Sequence, residues 1–200
     1  RAVQNLILGA KARAALLAVK ELADVFTIAS MTYEKNGHTL GGTPPQSALI
    51  TLQSLGADAV GCNCSAGPEQ MIDFISAMKP YATVPLVAKP NAGMPLLKDG
   101  QTVFEMDPAT FADFSVKLAA AGANMLGGCC GTTPEHIRAL RMSVTRKKPV
   151  LPLTKSVCAL SSARRFLEIK DNDPLYIVGE RINPTGKKSL QQELLEGKLS

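Results

Sequence analysis

The sequence predicts an α/β fold of parallel strands separated by helices, and three observations carry that expectation. Short apolar runs of strand length recur, as at 59–64 and 85–89, and are too brief for helices. Between them lie longer amphipathic stretches whose starts are marked by proline, in Thr43-Pro44-Pro45, Gly67-Pro68, Asp107-Pro108 and Thr133-Pro134. Glycine closes two of these stretches, at Gly56 and Gly122. Strand, loop, proline-marked helix and glycine stop make one recurring unit, the pattern of alternating β and α elements.

Taken in order, residues 10–22 form an Ala/Leu-rich helix, and 25–31 a short apolar strand ending in the polar loop 32–42. The next helix takes Thr43 as its N-cap, proline in the first turn and Gln46 three residues on, and runs over 46–55 to Gly56. Residues 59–64 are a strand, and Gly67-Pro68-Glu69 opens a helix to about Met78 that Lys79-Pro80 ends. A strand follows at 85–89, then a long loop with Gly, Pro and Asp over 90–106. Asp107-Pro108 starts the helix 109–121, Gly122 caps it, and 124–126 is a strand that reaches Cys129-Cys130. Thr133-Pro134 opens one more helix, to about Val144. The composition of 150–173, with prolines, Ser161-Ser162, Arg164-Arg165 and Asp171 to Asp173, reads as an ordered but exposed linker. A second domain begins near 174.

Composition narrows the function. A net charge of +5 is modest, aromatics are few and tryptophan is absent, so the chain lacks the basic, aromatic face of a nucleic-acid binder. The densest basic run, Arg138, Arg141, Arg146, Lys147 and Lys148, suits the solvated C-terminal end of a helix. No apolar run reaches the roughly 18 residues of a membrane helix, and no signal pattern opens the chain. We therefore expect a soluble, cytoplasmic protein with neither nucleic acid nor membrane as partner. The first residue is Arg and 1–20 reads as a loop running into a helix, so a piece of a longer protein is expected. Five cysteines, an odd number, favour metal binding or catalysis over a disulfide framework.

The cysteines sit in an internal repeat. Gly56-Ala57-Asp58-Ala59-Val60-Gly61-Cys62-Asn63-Cys64 aligns without a gap on Gly122-Ala123-Asn124-Met125-Leu126-Gly127-Gly128-Cys129-Cys130, at an offset of 66 residues. Each copy holds a helix stop, a short turn, a buried strand and thiols at the strand's C-terminal end. In parallel α/β folds that end is where ligands gather. Adjacent side chains on a strand point to opposite faces, so Cys129 and Cys130 can serve one site only where the backbone turns, which the flanking glycines permit. With Cys64 they make three thiolates and one open position, the arrangement of a catalytic rather than a closed structural zinc site. Cys62, two residues before Cys64 and hence on the same face but deeper, is expected in the core. Cys158 is expected to be an unpaired thiol without a role, and His136 a surface or capping residue. His38 is expected to be solvated. Asn63 either orients the cysteines through its amide or satisfies local backbone.

These motifs carry a resemblance. Gly-Gly-Cys-Cys-Gly-Thr-Thr-Pro-Glu-His at 127–136, with Gly-Cys-Asn-Cys-Ser-Ala-Gly-Pro-Glu at 61–69, resembles the homocysteine S-methyltransferase domain over about residues 1–149. The resemblance implies a (β/α)8 TIM barrel, of which this chain holds the second half, zinc as its metal, and Cys64, Cys129 and Cys130 as the ligands. Tyr176-Ile177-Val178-Gly179-Glu180-Arg181-Ile182-Asn183-Pro184-Thr185-Gly186 is similar to the first strand and loop of the pterin (methyltetrahydrofolate) domain of the cobalamin-dependent methionine synthase family, the first βα unit of a second TIM barrel. It implies pterin contacts from Glu180, Asn183, Thr185, Gly186 and Lys187. Domains of 1–149 and 174–200 joined by the linker 150–173 follow the order of that family. The partners implied are homocysteine, 5-methyltetrahydrofolate and a cobalamin domain elsewhere in the parent chain.

The chemistry has a physical account of its own. The thiolate, not the thiol, is the nucleophile, and a free thiol has a pKa near about 8.5. Zinc with three thiolates carries a formal charge near about −1, which mutes its Lewis acidity and leaves electron density on a bound sulfur, suiting alkyl transfer better than hydrolysis. Two alternatives stay open: a homocysteine methyltransferase using another methyl donor, and a non-catalytic metal-binding module. An open doubly wound sheet is the rival fold, disfavoured because no glycine-rich dinucleotide loop occurs. Because the first barrel strands are absent and the second domain stops at Ser200, the chain alone is expected to be a poor catalyst.

Overall fold

The computed structural model describes residues 2–3, 9–64, 67–155, 157–177, 179 and 186–197 and divides into two compact units, Arg1–Ile169 and Lys170–Ser200. The first unit is the expected α/β fold with a parallel sheet. Its strands β1 (Ala2–Val3), β2 (Ile28–Met31), β3 (Ala59–Asn63), β4 (Leu86–Lys89) and β7 (Ala123–Leu126) lie in the order β1-β2-β3-β4-β7, every neighbour parallel. The helices α1 (Gly9–Leu22), α2 (Pro45–Ser54), α3 (Pro68–Met78), α4 (Pro108–Ala121) and α5 (Pro134–Val144) fall between or after them. Alternate strand residues, Ala29, Met31, Val60, Cys62, Leu86 and Ala88, join Leu16, Leu49, Met71, Ile75, Met78 and Leu118 of the helices in one core. Each fully buried Leu, Ile or Met contributes roughly 1.5–3 kcal/mol. The intervening residues Ser30, Gly61 and Val87 belong to the opposite face.

The internal repeat is a structural repeat as well. Gly56 and Gly122 both take positive φ, 88° and 125°, conformations that cost a residue with a Cβ and leave glycine free. Two residues later in each copy, a side-chain oxygen ties the new strand to its neighbour. Asp58 Oδ2 accepts from the Thr27 amide at 2.7 Å, and Asn124 Oδ1 accepts from the Leu86 amide at 2.9 Å. Each bond fixes where the strand pair starts, so the ends of β3 and β7 are delivered to one edge of the sheet with β4 between them. Gly61 has a different reason: a Cβ there would collide with the backbone carbonyl of Val87 on β4.

Several local expectations shift. The N-cap of α2 is Pro44, extended at φ −75° and ψ 158°, not Thr43. Proline is favoured at the first helical position, which Pro45 takes, so the start moves one residue on. Thr43 instead closes the preceding loop, its amide donating to Thr39 Oγ1 at 3.0 Å. The loop over 90–106 contains a hairpin, β5 (Leu96–Lys98) with β6 (Gln101–Val103), turned through Asp99 and Gly100 at φ 48° and 76°. An Asp-Gly pair with both residues at positive φ is a strong hairpin signal, and it was legible in the sequence.

Residues 150–169 are part of the first unit and pack against α2 and Tyr81. The strands β8 (Ala159–Ser161) and β9 (Phe166–Glu168) form a hairpin. Thr51 and Ser161 share a hydroxyl hydrogen bond at 2.8 Å, Tyr81 donates to Glu168 at 3.2 Å, and the Tyr81 and Phe166 rings meet edge to face. In the second unit, Asp173 accepts from the Lys170 amide and the Tyr176 hydroxyl, and α6 spans Lys188–Leu195. Residues 174–177 carry no strand, and Leu175 and Ile177 are exposed. A strand needs a neighbour for its ladder, and the described residues of this unit supply none. Among the described residues no helix is long and apolar enough to cross a membrane.

Candidate metal centre

Cys64, Cys129 and Cys130 converge. Their sulfurs lie 3.1 Å (Cys64 to Cys129), 3.6 Å (Cys64 to Cys130) and 4.0 Å (Cys129 to Cys130) apart. Among the described residues they are the group of His, Cys, Asp and Glu side chains placed to hold a metal ion. Zinc–sulfur bonds of about 2.3 Å at tetrahedral angles require sulfur separations of about 3.8 Å. The triangle brackets that value, and three soft donors without a fourth leave one coordination position for another molecule. The donor set fits zinc.

Cys64 reaches the site by leaving its strand. The strand β3 ends at Asn63, and Cys64 takes φ +63°, the left-handed region that costs a non-glycine residue roughly 1–2 kcal/mol. Strand alternation therefore stops before it, which corrects the expectation that Cys62 and Cys64 share a face. Cys62 is 1% exposed in the helix-side core, and burial pushes its thiol well up, as suits a packing residue. Cys158 is an exposed free thiol.

The double cysteine is held by the segment after β4. Gly127 N donates to Ala88 O at 3.0 Å, Cys129 N to Pro90 O at 2.9 Å, and Ala92 N to Cys130 O at 2.9 Å. The Cys130 amide donates to Asn91 Oδ1 at 3.1 Å, and Thr132 Oγ1 to Cys129 O at 2.7 Å. Two glycines have no room for a side chain: a Cβ on Gly128 would strike Thr132, and one on Gly131, at φ 75°, would strike Phe104. His136 caps α5, as one reading expected, but is buried rather than on the surface. Its Nδ1 accepts from the Thr133 amide at 3.2 Å, which leaves the proton on Nε2 to donate to Met106 O at 2.8 Å. Through Met106 N to Ala92 O, this bond closes the loop around Cys130.

Asn63 is buried beside the cluster. Its amide donates toward Cys129 Sγ at 4.0 Å, while Oδ1 accepts from the Ser30 hydroxyl at 2.6 Å. Thr32 Oγ1 donates to the Asn63 carbonyl at 3.2 Å. Burial first, and the neighbouring Cys64 second, raise the Cys129 thiol above its ordinary range; a bound cation reverses that balance and favours the thiolate. Sequence reasoning missed Asn91 and Ser30. Both are buried polar residues, and their only sequence signal is a position one or two residues from a strand end.

The model of the homocysteine S-methyltransferase family matches residues 4–144, a span that contains all three cysteines, Ser30, Asn63 and Asn91. The chain belongs to the homocysteine S-methyltransferase family. Among related members, it is 32% identical over 171 residues to a methionine synthase of Mycobacterium tuberculosis (strain ATCC 25618 / H37Rv), across 84% of this chain and 14% of that protein. It is 30% identical over 174 residues to a methionine synthase of Mycobacterium leprae (strain TN), across 82% of this chain and again 14% of the relative. The chain thus spans about a seventh of the length of these relatives. Of solved structures, the apo homocysteine methyltransferase MmuM from Escherichia coli superposes with a TM-score of 0.57 at 26% identity, over 71% of this chain and 49% of that one. Its metallated form gives a TM-score of 0.56 at 24% identity, over 70% of this chain and 43% of that one, a likeness of fold.

Of the pterin contacts that the second motif implies, Glu180, Asn183 and Thr185 lie outside the described residues. Gly186 has φ 81°, and Lys187 stands at the N-cap of α6.

Proposed function

We propose that this chain is part of a cobalamin-dependent methionine synthase acting in the cytoplasm. In this reading residues 1–149 are the second half of a zinc-bearing (β/α)8 barrel, 150–173 join it to the next domain, and 174–200 begin a pterin-binding barrel. The reaction is methyl transfer to homocysteine to give methionine. Homocysteine gains a sulfur–methyl bond and releases its thiol proton, and the donor's bond to the methyl group breaks with the electron pair staying on the donor. The donor is methylcobalamin, recharged from 5-methyltetrahydrofolate, with cobalamin held by another domain of the parent chain.

The observation that carries the reading is the triangle of sulfurs at the C-terminal edge of the sheet, inside the span that matches the family. Zinc, when bound, supplies the Lewis acidity that favours the deprotonated form of a substrate thiol at the open position. The chain's own residues do the rest. Cys64, Cys129 and Cys130 hold the ion, Asn63 orients Cys129, and Asn91 with Pro90 and Ala92 fixes the backbone of the double cysteine. The two mycobacterial relatives, both methionine synthases, support the assignment to that enzyme. So does the motif Tyr176 to Gly186, from which Glu180, Asn183, Thr185, Gly186 and Lys187 are the proposed pterin contacts.

Zinc stoichiometry and homocysteine methylation by the full-length parent, with Cys64→Ala, Cys129→Ala and Cys130→Ala made singly, test it. Each substitution is expected to abolish both; any variant that keeps full zinc and activity removes its cysteine from the set. The likeness to MmuM supports a second reading, a homocysteine methyltransferase with another methyl donor. A parent protein that ignores methylcobalamin and accepts a different donor would select it.

A further inference from the structure

We infer that Ser30 is a positioning residue for the metal centre, acting on Cys129 through Asn63; this rests on the zinc reading above. Ser30 lies on β2, whose register places it beside Gly61 of β3, on the face that Asn63 shares and opposite the helix-side core. Both polar side chains are buried, Ser30 at 4% and Asn63 at 1% exposure. A buried hydroxyl and a buried carboxamide are expensive to desolvate, and here they are spent on each other, Ser30 Oγ donating to Asn63 Oδ1 at 2.6 Å.

The direction of that bond matters. A carboxamide has an accepting and a donating end. With Oδ1 engaged by the Ser30 hydroxyl, the NH2 end is the one turned toward Cys129 Sγ, at 4.0 Å. The reverse orientation would set a carbonyl oxygen against a thiolate, lone pairs against negative charge. An N–H dipole directed at the sulfur draws off part of its charge, which tunes both the affinity for the cation and the electron density left for chemistry. Thr32, two residues on in the same chain segment, holds the Asn63 backbone carbonyl at 3.2 Å. Ser30 therefore fixes the amide while Thr32 fixes the backbone beneath it. Ser30 itself does not touch the sulfurs.

Cobalt(II) substitution of the full chain, with zinc competition against a chromophoric chelator, separates this role from general packing. The thiolate-to-cobalt charge-transfer band reports the electron density on the sulfurs. Ser30→Ala is expected to shift that band and to weaken zinc by about tenfold or more, within the range for loss of a group that orients a metal ligand. Ser30→Thr, which keeps the hydroxyl, is expected to restore both. If the alanine variant does not fold, Ser30→Thr against Ser30→Val makes the same comparison at matched volume. A wild-type band and affinity in the hydroxyl-free variants would overturn the role of Ser30 while leaving the metal site standing. A wild-type chain that takes up neither cobalt nor zinc would instead sink the metal reading.

Discussion

At the residue scale, Cys64 is the unusual member of the sulfur triangle because its backbone is left-handed, at φ +63°. That conformation turns its sulfur off the strand's alternation and toward Cys129 and Cys130. Its cost fits a position where function outweighs local preference. The strain can be measured apart from the metal. Cys64→Gly and Cys64→Ala both remove the sulfur, but only glycine relaxes at positive φ. In metal-free urea unfolding the glycine variant is expected to be the more stable of the two by about 1 kcal/mol. Equal stabilities would mean that the left-handed turn is not kept without the thiol. Cys129 occupies the place that Asn63 holds in the earlier copy of the repeat, so one copy supplies a thiol where the other supplies the amide that faces it.

At the element scale, the equivalent residues Asp58 and Asn124 do the same work with different chemistry, each accepting a backbone amide of the neighbouring strand. Asp58 also receives Lys20 Nζ at 2.6 Å. The Lys20 hydrogen bond first, and the Thr27 amide second, hold its carboxyl below the ordinary range. A lowered pKa in the fold means that this contribution is complete above the unfolded value of about 3.9 and is lost as pH falls through the folded one. Asp58→Asn imitates the other copy, keeping an acceptor for Thr27 and losing the charge. It is expected to flatten the fall in stability between neutral pH and about pH 3, whereas Asp58→Ala should be less stable at both. Urea unfolding of the three proteins checks this, and an unchanged acid slope in Asp58→Asn would show that other carboxylates set it. The hairpins lie at the same scale. The Asp99-Gly100 signal for the first lies in a stretch whose sequence reads as a loop; nothing in the composition of 159–168 signals the second, because its partner helix and Tyr81 are far away in the chain.

At the scale of the whole molecule, the first compact unit ends at Ile169. Residues 150–169 supply the Val150 carbonyl to Asn124, the Leu153 amide to Ala82, Ser161 to Thr51 and Glu168 to Tyr81. A chain ended after Ile169 is expected to keep the melting temperature of this unit and the zinc uptake proposed for the full chain. Ending it after Pro149 removes those hydrogen bonds and the Tyr81–Phe166 ring pair, a loss of roughly 3 kcal/mol or more. Thermal unfolding of the two truncations decides the matter; equal melting temperatures would show that 150–169 adds nothing.

The sequence by itself determined the alternating α/β order, the parallel strands, the gapless repeat and the three sulfurs, because each rests on local signals: apolar period, proline and glycine punctuation, and the spacing of thiols from a strand end. Only the tertiary structure decided that Cys64 leaves its strand, that Ser30 bonds the Asn63 amide and Asn91 the Cys130 backbone, that His136 caps from a buried position, and that 150–169 belongs to the first unit. Those facts depend on which distant backbone groups meet a given side chain. A buried serine that satisfies a neighbour and one that steers a metal ligand read alike until the strand beside it is in place.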